Sequence, residues 1–275
     1  MSKTDNLPHI SVAEQVLFYL LAFSCSEQKE ARYIRNLHTF AECSYQQMYF
    51  WLSQVPSQSV RGAIADLRKK GAISIFHKQG LAQIRATVAG KESFLARFPT
   101  FQRFGEDWDE QWRIVILYQV RERGSHASSV YRKLRDLLDQ HGFAQLERGV
   151  YVSPWPIPHH MNEVLRSTHL NGHVLAFATR ELQHGDAREL ASRLWNLEKT
   201  SKDYAKLSKQ VGKLLAEFQL KKGLTDREKE IYSTILFQSF QMLSLDIMIP
   251  NQLSDVIEER EDVWKTLLSC MQTLI

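Results

Sequence analysis

Residues 57–71 read SQSVRGAIADLRKKG, and how this stretch folds decides the architecture of the N-terminal third. Val60, Ile64 and Leu67 recur at helical spacing, which puts one apolar stripe on one face. Gln58, Gly62, Ala65 and Lys69 fall on the opposite face, with Ser59, Arg61 and Arg68 on its flanks. The turn signal Gln54-Val55-Pro56 precedes the helix, Ser57 is expected to be its N-cap, and Gly71 is placed to stop it. Two strand-like runs follow, 72–77 and 82–87, joined across Gln79-Gly80. Upstream, Ser11 and Glu14 form a capping-box pattern that opens a helix ending near Ser24. Residues 30–41 and 45–52 read as further helical stretches, the former with Ile34, Leu37 and Phe40 apolar. Helix, turn, helix and β-hairpin is the order of a winged helix-turn-helix.

Charge favours the same region. Residues 1–100 hold 12 Lys/Arg and 7 Asp/Glu, whereas 106–180 hold nine of each and 181–275 hold 13 against 15. Within 57–91 there are seven basic residues and a single acid, Asp66. A positive excess confined to one short segment is what contact with a phosphate backbone requires. Gly62 and Ala65 keep the outward face low. Gln58 and Arg61 are of the types that make bidentate contacts to adenine and guanine. Ser59 lies on the same approach, and Arg68, Lys69, Lys70, Lys78 and Arg85 are expected on phosphates.

Residues 99–110 read as a linker. Beyond it, 112–120 (WRIVILYQV) is a buried strand, 129–141 an amphipathic helix closed by Gly142, and 143–146 and 149–152 are strands about Arg148-Gly149. A helix over 158–169 and a strand over 173–179 complete βαββαβ, the ferredoxin-like order. From Asp186 the chain reads as helical, with Thr225 and Glu228 capping one of the later helices. The expected architecture is an α+β multidomain protein: a winged helix-turn-helix (1–100), a ferredoxin-like domain (106–182) and a helical C-terminal domain (183–275).

Other chemistry finds less support. Seven of the ten histidines lie between His126 and His184, including His159-His160 and the pair His169 and His173, but Asn171-Gly172 breaks the latter pair and no HExxH is present. No metal site and no cofactor is expected. A nuclease on this fold needs a carboxylate at the end of the first strand, where Gln119 stands, although Glu122 is close by. No G-x-S-x-G elbow supports a serine hydrolase, so no enzymatic activity is expected. Trp155, Trp195 and Tyr204 are candidates for an effector pocket, against the plainer reading of core aromatics. Cys25, Cys43 and Cys270 have neither metal spacing nor an even count, which fits a reducing cytoplasm. No run is long and apolar enough for a membrane span.

Several stretches together resemble the PaaX family of transcriptional repressors. They are Trp108-Asp109 with Trp112-Arg113, the basic helix 132–138 ending in Gly142-Phe143, and Gly149-Val150-Tyr151-Val152-Ser153-Pro154. Residues 59–67 with Gly71 are similar to the family's recognition helix, and 190–197 followed by Tyr204 to its C-terminal signature, with a looser match at Asp246 and 250–253. The resemblance implies a winged-helix repressor that binds double-stranded DNA as a homodimer, with a central domain similar to a small CRISPR-associated endonuclease, and an acyl-CoA effector. The sequence departs from the family at Tyr118-Gln119-Val120-Arg121-Glu122, where the family carries an aspartate, in the longer segment 27–54, and in lacking a C-terminal Trp-Pro-Gly. Phenylacetyl-CoA is therefore not carried over as the effector. The alternatives are a metal-dependent nuclease acting through the central domain and a DNA-bound adaptor without a ligand.

Overall fold

The computed structural model describes residues 10–28, 32–118, 125–167, 174–181, 185–219, 223–254 and 256–273. They form two compact units. One joins Met1–Phe104 to Lys202–Asp246 and Glu258–Ile275; the other joins Gly105–Ser201 to Ile247–Ile257.

The first unit is built around α1 (Val12–Glu27), which Ser11 and Glu14 open through a reciprocal capping box. Gln15 through Cys25 are all buried, so α1 is a central helix covered on every side rather than an amphipathic surface helix. A short strand β1 (Cys43–Ser44) leads into α2 (Tyr45–Trp51), which begins with a second capping box between Ser44 and Gln47. Then come α3 (Ser57–Lys69), β2 (Ile73–Lys78) and β3 (Leu81–Ala86). The last two pair antiparallel with Ile75 opposite Ile84, and β1 adds to the far side of β3, giving the order β1-β3-β2. Val60, Ile64 and Leu67 are the buried residues of α3. Gly71 has φ +71, a left-handed conformation suited to glycine, and the Ala72 amide turns back to donate to the Leu67 carbonyl at 2.9 Å.

Three expectations are corrected here. Ser57 is not the N-cap of α3. Pro56 holds that position with φ −54, and its carbonyl accepts from the amides of Ser59 and Val60. Residues 30–41 contribute only a 3₁₀ turn, Ile34–Asn36, among the described residues. Their carbonyls find another partner, since Lys91 Nζ donates to Leu37 O at 2.7 Å and to Arg35 O at 3.5 Å. Residues 99–104 are core rather than linker. After α4 (Val88–Arg97), an element the sequence reading omits, α5 (Thr100–Arg103) carries Phe101 inward while Phe98 and Phe104 bury on either side.

The second unit holds β4 (Trp112–Leu117), α6 (Ser125–Gln140), β5 (Ala144–Glu147), β6 (Val150–Ser153), α7 (His159–Ser167) and β7 (Val174–Thr179). The sheet runs β5-β6-β4-β7 with every neighbour antiparallel. The split arrangement, with the third strand inserted between the first two, is consistent with a ferredoxin-like domain. Val115, Leu117, Leu134, Leu138, Phe143, Tyr151 and Met161 form its core. α8 (Ala187–Trp195) follows, and Arg188 Nε donates to Gln252 O at 3.0 Å within the same unit.

Asn196 in the left-handed region (φ 50) separates α8 from α9 (Leu197–Gln219). α10 (Asp226–Leu245) and α11 (Ile257–Thr273) complete the helices. The C-terminal segment does not pack as one block from 183 to 275, because α10 and the body of α11 close the core around α1. Phe240 stacks on Phe18 with centroids 4.0 Å apart, Ser233 Oγ donates to Trp51 O at 2.6 Å, and Trp264 Nε1 donates to Arg32 O at 2.9 Å. Asp246 accepts from Arg260 Nε at 2.7 Å and from the Tyr204 hydroxyl at 2.9 Å; the Asp246 and Arg260 side chains are only 6% and 4% exposed. No helix among the described residues is long and apolar enough to cross a membrane.

Candidate nucleic-acid interface

α3 shows solvent everything that its apolar stripe does not use. Gln58, Ser59, Arg61, Gly62, Ala65, Arg68, Lys69 and Lys70 are all exposed. A Cβ built on Gly62 would meet nothing within 4 Å, so the helix surface is bare at that point.

Beside this face runs an open cleft of about 730 Å³, lined by Tyr45 and Tyr49 of α2, by Arg61, Ile64, Ala65, Arg68 and Lys69 of α3, and by Ile75 of β2. Its floor is aliphatic, one wall is phenolic and the other cationic. Arg61 Nε donates to the Tyr49 hydroxyl at 3.0 Å, with the guanidinium carbon 5.9 Å from the ring centroid. Burial raises the Tyr45 phenol above its ordinary pKa; neighbouring Tyr49 adds to this and Arg68 opposes it. The phenol is therefore a neutral hydrogen-bonding group at physiological pH.

The predicted cations are thus not equivalent. Arg68 and Lys69 have no acidic partner among the described residues. Lys70 is paired with Asp66 at 2.7 Å and Lys78 with Glu42 at 2.9 Å, while Arg85 lies over the Phe76 ring at 5.3 Å. All three remain exposed, but two have their charge locally balanced. The structure gathers Arg61, Ala65, Arg68 and Lys69 into one concave face, leaves Gln58 and Ser59 on the first turn, and places Lys78 and Arg85 on the hairpin. The sequence reading missed Tyr45 and Tyr49. Its only hint was the aromatic richness of 45–52, which gives no partner.

The aromatic residues considered for an effector pocket are each occupied in packing. Trp155 is buried, and its Nε1 donates to Ile247 O at 3.0 Å. Trp195 stacks on Trp112, with centroids 6.2 Å apart and planes 11° apart, and Trp112 meets Trp108 edge-on. Tyr204 is wholly buried against Asp246. Gln119, Glu122, His169 and His173 lie outside the described residues. Among the described residues, no cluster of three or more His, Cys, Asp and Glu side chains could hold a metal ion.

Two units, one bearing a cationic helix-and-hairpin face and the other an antiparallel split βαβ sheet, define a modular α+β protein. Residues 105–191 match the family model of the PaaX protein central Cas2-like domain. The central segment is therefore similar to the central domain of PaaX proteins, in agreement with the resemblance carried by Trp108-Asp109 and by Gly149 through Pro154. In fold, the chain is similar to the uncharacterized protein Rv0674 from Mycobacterium tuberculosis, at TM-score 0.53 and 12% identity over 97% of this chain and 100% of that one. No curated protein matches the chain.

Proposed function

We propose that this protein is a sequence-specific DNA-binding transcription regulator whose α2, α3 and hairpin form a winged helix-turn-helix. The similarity of the central segment to the PaaX central domain supports a transcriptional regulator. The observation that carries the reading is the exposed, uncluttered face of α3. Arg61, Arg68 and Lys69 stand around Gly62 and Ala65 while Val60, Ile64 and Leu67 anchor the helix from behind. A helix meets base edges in the major groove only if its outer face is short-chained and its flanks neutralise phosphates. On this reading Gln58 and Arg61 contact bases, Ser59 and the helix N-terminus approach phosphate, and Arg68, Lys69, Lys70, Lys78 and Arg85 position the backbone.

The finer parts of the reading are that it represses, that it acts as a homodimer on an operator with two-fold symmetry, and that an acyl-CoA-like effector releases it. These rest on the family resemblance, and the buried free thiols of Cys25, Cys43 and Cys270 fit work in the cytoplasm. Selection of bound duplexes from a randomised pool, followed by affinity measurements over a range of salt, tests the reading. Lys69→Ala should weaken binding to every duplex alike and lower the salt slope by about 1. Arg61→Ala should relax preference at one base pair. Equal behaviour of the two variants, or no duplex binding by the parent protein, overturns the assignment.

A further inference from the structure

We infer that Tyr49 is a positioning residue for base recognition. By holding Arg61 through its Nε, it presents the Nη1/Nη2 end of the guanidinium to a guanine. The inference rests on the DNA-binding reading and deepens it.

An arginine on an open helix face samples many rotamers, and fixing it on DNA costs much of that freedom. Here the side chain is already tethered, with Arg61 Nε donating to Tyr49 Oη at 3.0 Å. The tether is itself held. Tyr49 contacts Tyr45 at 6.2 Å between centroids, and Tyr45 is the first residue of α2, whose start is fixed by the reciprocal bonds of Ser44 and Gln47 at 3.1 and 2.7 Å. The cost of ordering the guanidinium is thus met partly in the free protein, which is how preorganisation raises affinity.

The bond also selects a geometry. A guanidinium reads guanine O6 and N7 with two parallel donors. With Nε engaged by the phenol, the pair that remains is Nη1 and Nη2, an end-on fork, rather than the side-on pair that includes Nε. The Tyr49 hydroxyl accepts from Arg61 and keeps its own proton to donate, and Arg68 lies further along the same cleft. The contact therefore favours a guanine at one fixed position relative to the phosphates that Arg68 and Lys69 touch.

The test uses the full-length protein and the best duplex recovered from a randomised pool. Affinities of the parent, Tyr49→Phe, Arg61→Ala and the double variant are measured on that duplex, on single-base-pair changes of it, and on a scrambled duplex. Tyr49→Phe keeps the ring and removes only the hydroxyl. It should lose on the order of fivefold on the best duplex and nothing on the scrambled one. Its lost discrimination should fall at the same G·C pair that Arg61→Ala relaxes. In the Arg61→Ala background the Tyr49→Phe effect should vanish. A purely structural role for Tyr49 would weaken all duplexes together and would not follow the guanine position. Unchanged discrimination in Tyr49→Phe, or a loss additive with that of Arg61→Ala, overturns the inference while leaving DNA binding intact. Failure of the parent to select any duplex overturns the DNA-binding reading, and the inference falls with it.

Discussion

Gly62 allows stability and binding to be pushed in opposite directions with one substitution. It lies mid-helix in α3, is exposed, has no left-handed backbone, and leaves a built Cβ in open space. Replacing an exposed mid-helix glycine by alanine is worth about 0.8–1 kcal/mol of helix stability, and leucine gives nearly the same gain. No contact at this position subtracts from that figure, so Gly62→Ala and Gly62→Leu should both raise the urea midpoint of unfolding. If the face of α3 approaches base edges, the leucine side chain occupies the space the bases need. Gly62→Leu should then lose roughly tenfold or more in duplex affinity, the scale of one steric misfit in a close-packed interface, while Gly62→Ala loses much less. Urea unfolding followed by circular dichroism and fluorescence anisotropy with a labelled duplex measure the two quantities. A Gly62→Leu variant that is more stable and still binds like the parent would refute the placement of this face against DNA. A destabilised Gly62→Ala would refute the account of the helix itself.

Gly90 in α4 is the opposite case. A Cβ there would sit 2.1 Å from the backbone carbonyl oxygen of Ala72, so Gly90→Ala should cost about 3 kcal/mol, read as a lower urea midpoint. Arg260→Ala removes the guanidinium from the buried Asp246 and should cost about 3–5 kcal/mol, against under about 1 kcal/mol for Lys70→Ala, whose partner Asp66 is half exposed; chemical denaturation separates the two. Asp109 is held below its usual pKa of 3.8 by the guanidinium of Arg113, so its contribution is complete above that value and is lost as pH falls through the lowered pKa. The melting temperature of Asp109→Asn should accordingly lie below that of the parent at pH 6, and the gap should close as the pH falls below about 4.

What was legible in the sequence follows the range of the forces involved. The stripe Val60, Ile64, Leu67, the stop at Gly71, the hairpin and the Ser11–Glu14 box are local patterns, and the structure contains all of them. The βαββαβ order was equally readable, because each strand and helix there carries its own periodicity. α4 was missed because it buries only Gly90, Phe94 and Leu95, too few for a clear stripe, and has a glycine inside its first turn. Ser57 lost the cap to Pro56, a contest between neighbours that composition does not decide. The cations of α3 were foreseen, but their sorting was not. That Arg61 meets Tyr49, twelve residues away across a turn, and that Lys78 is balanced by Glu42, 36 residues away, are tertiary facts. The division of the C-terminal helices likewise depends on contacts such as Phe18 with Phe240, which no local window spans.

That last contact has a bearing on biosynthesis. α1 is made long before α10 and α11, yet its aromatic flank at Phe18 rests on Phe240 and approaches Trp264, at 4.0 and 6.4 Å between centroids. A nascent polypeptide that carries α1 therefore presents a greasy, unfinished surface until synthesis has passed Phe240 and Trp264. Such a chain is a natural client for holdase chaperones during translation, and a stop codon ahead of Phe240 would deliver an aggregation-prone product rather than a shortened working one.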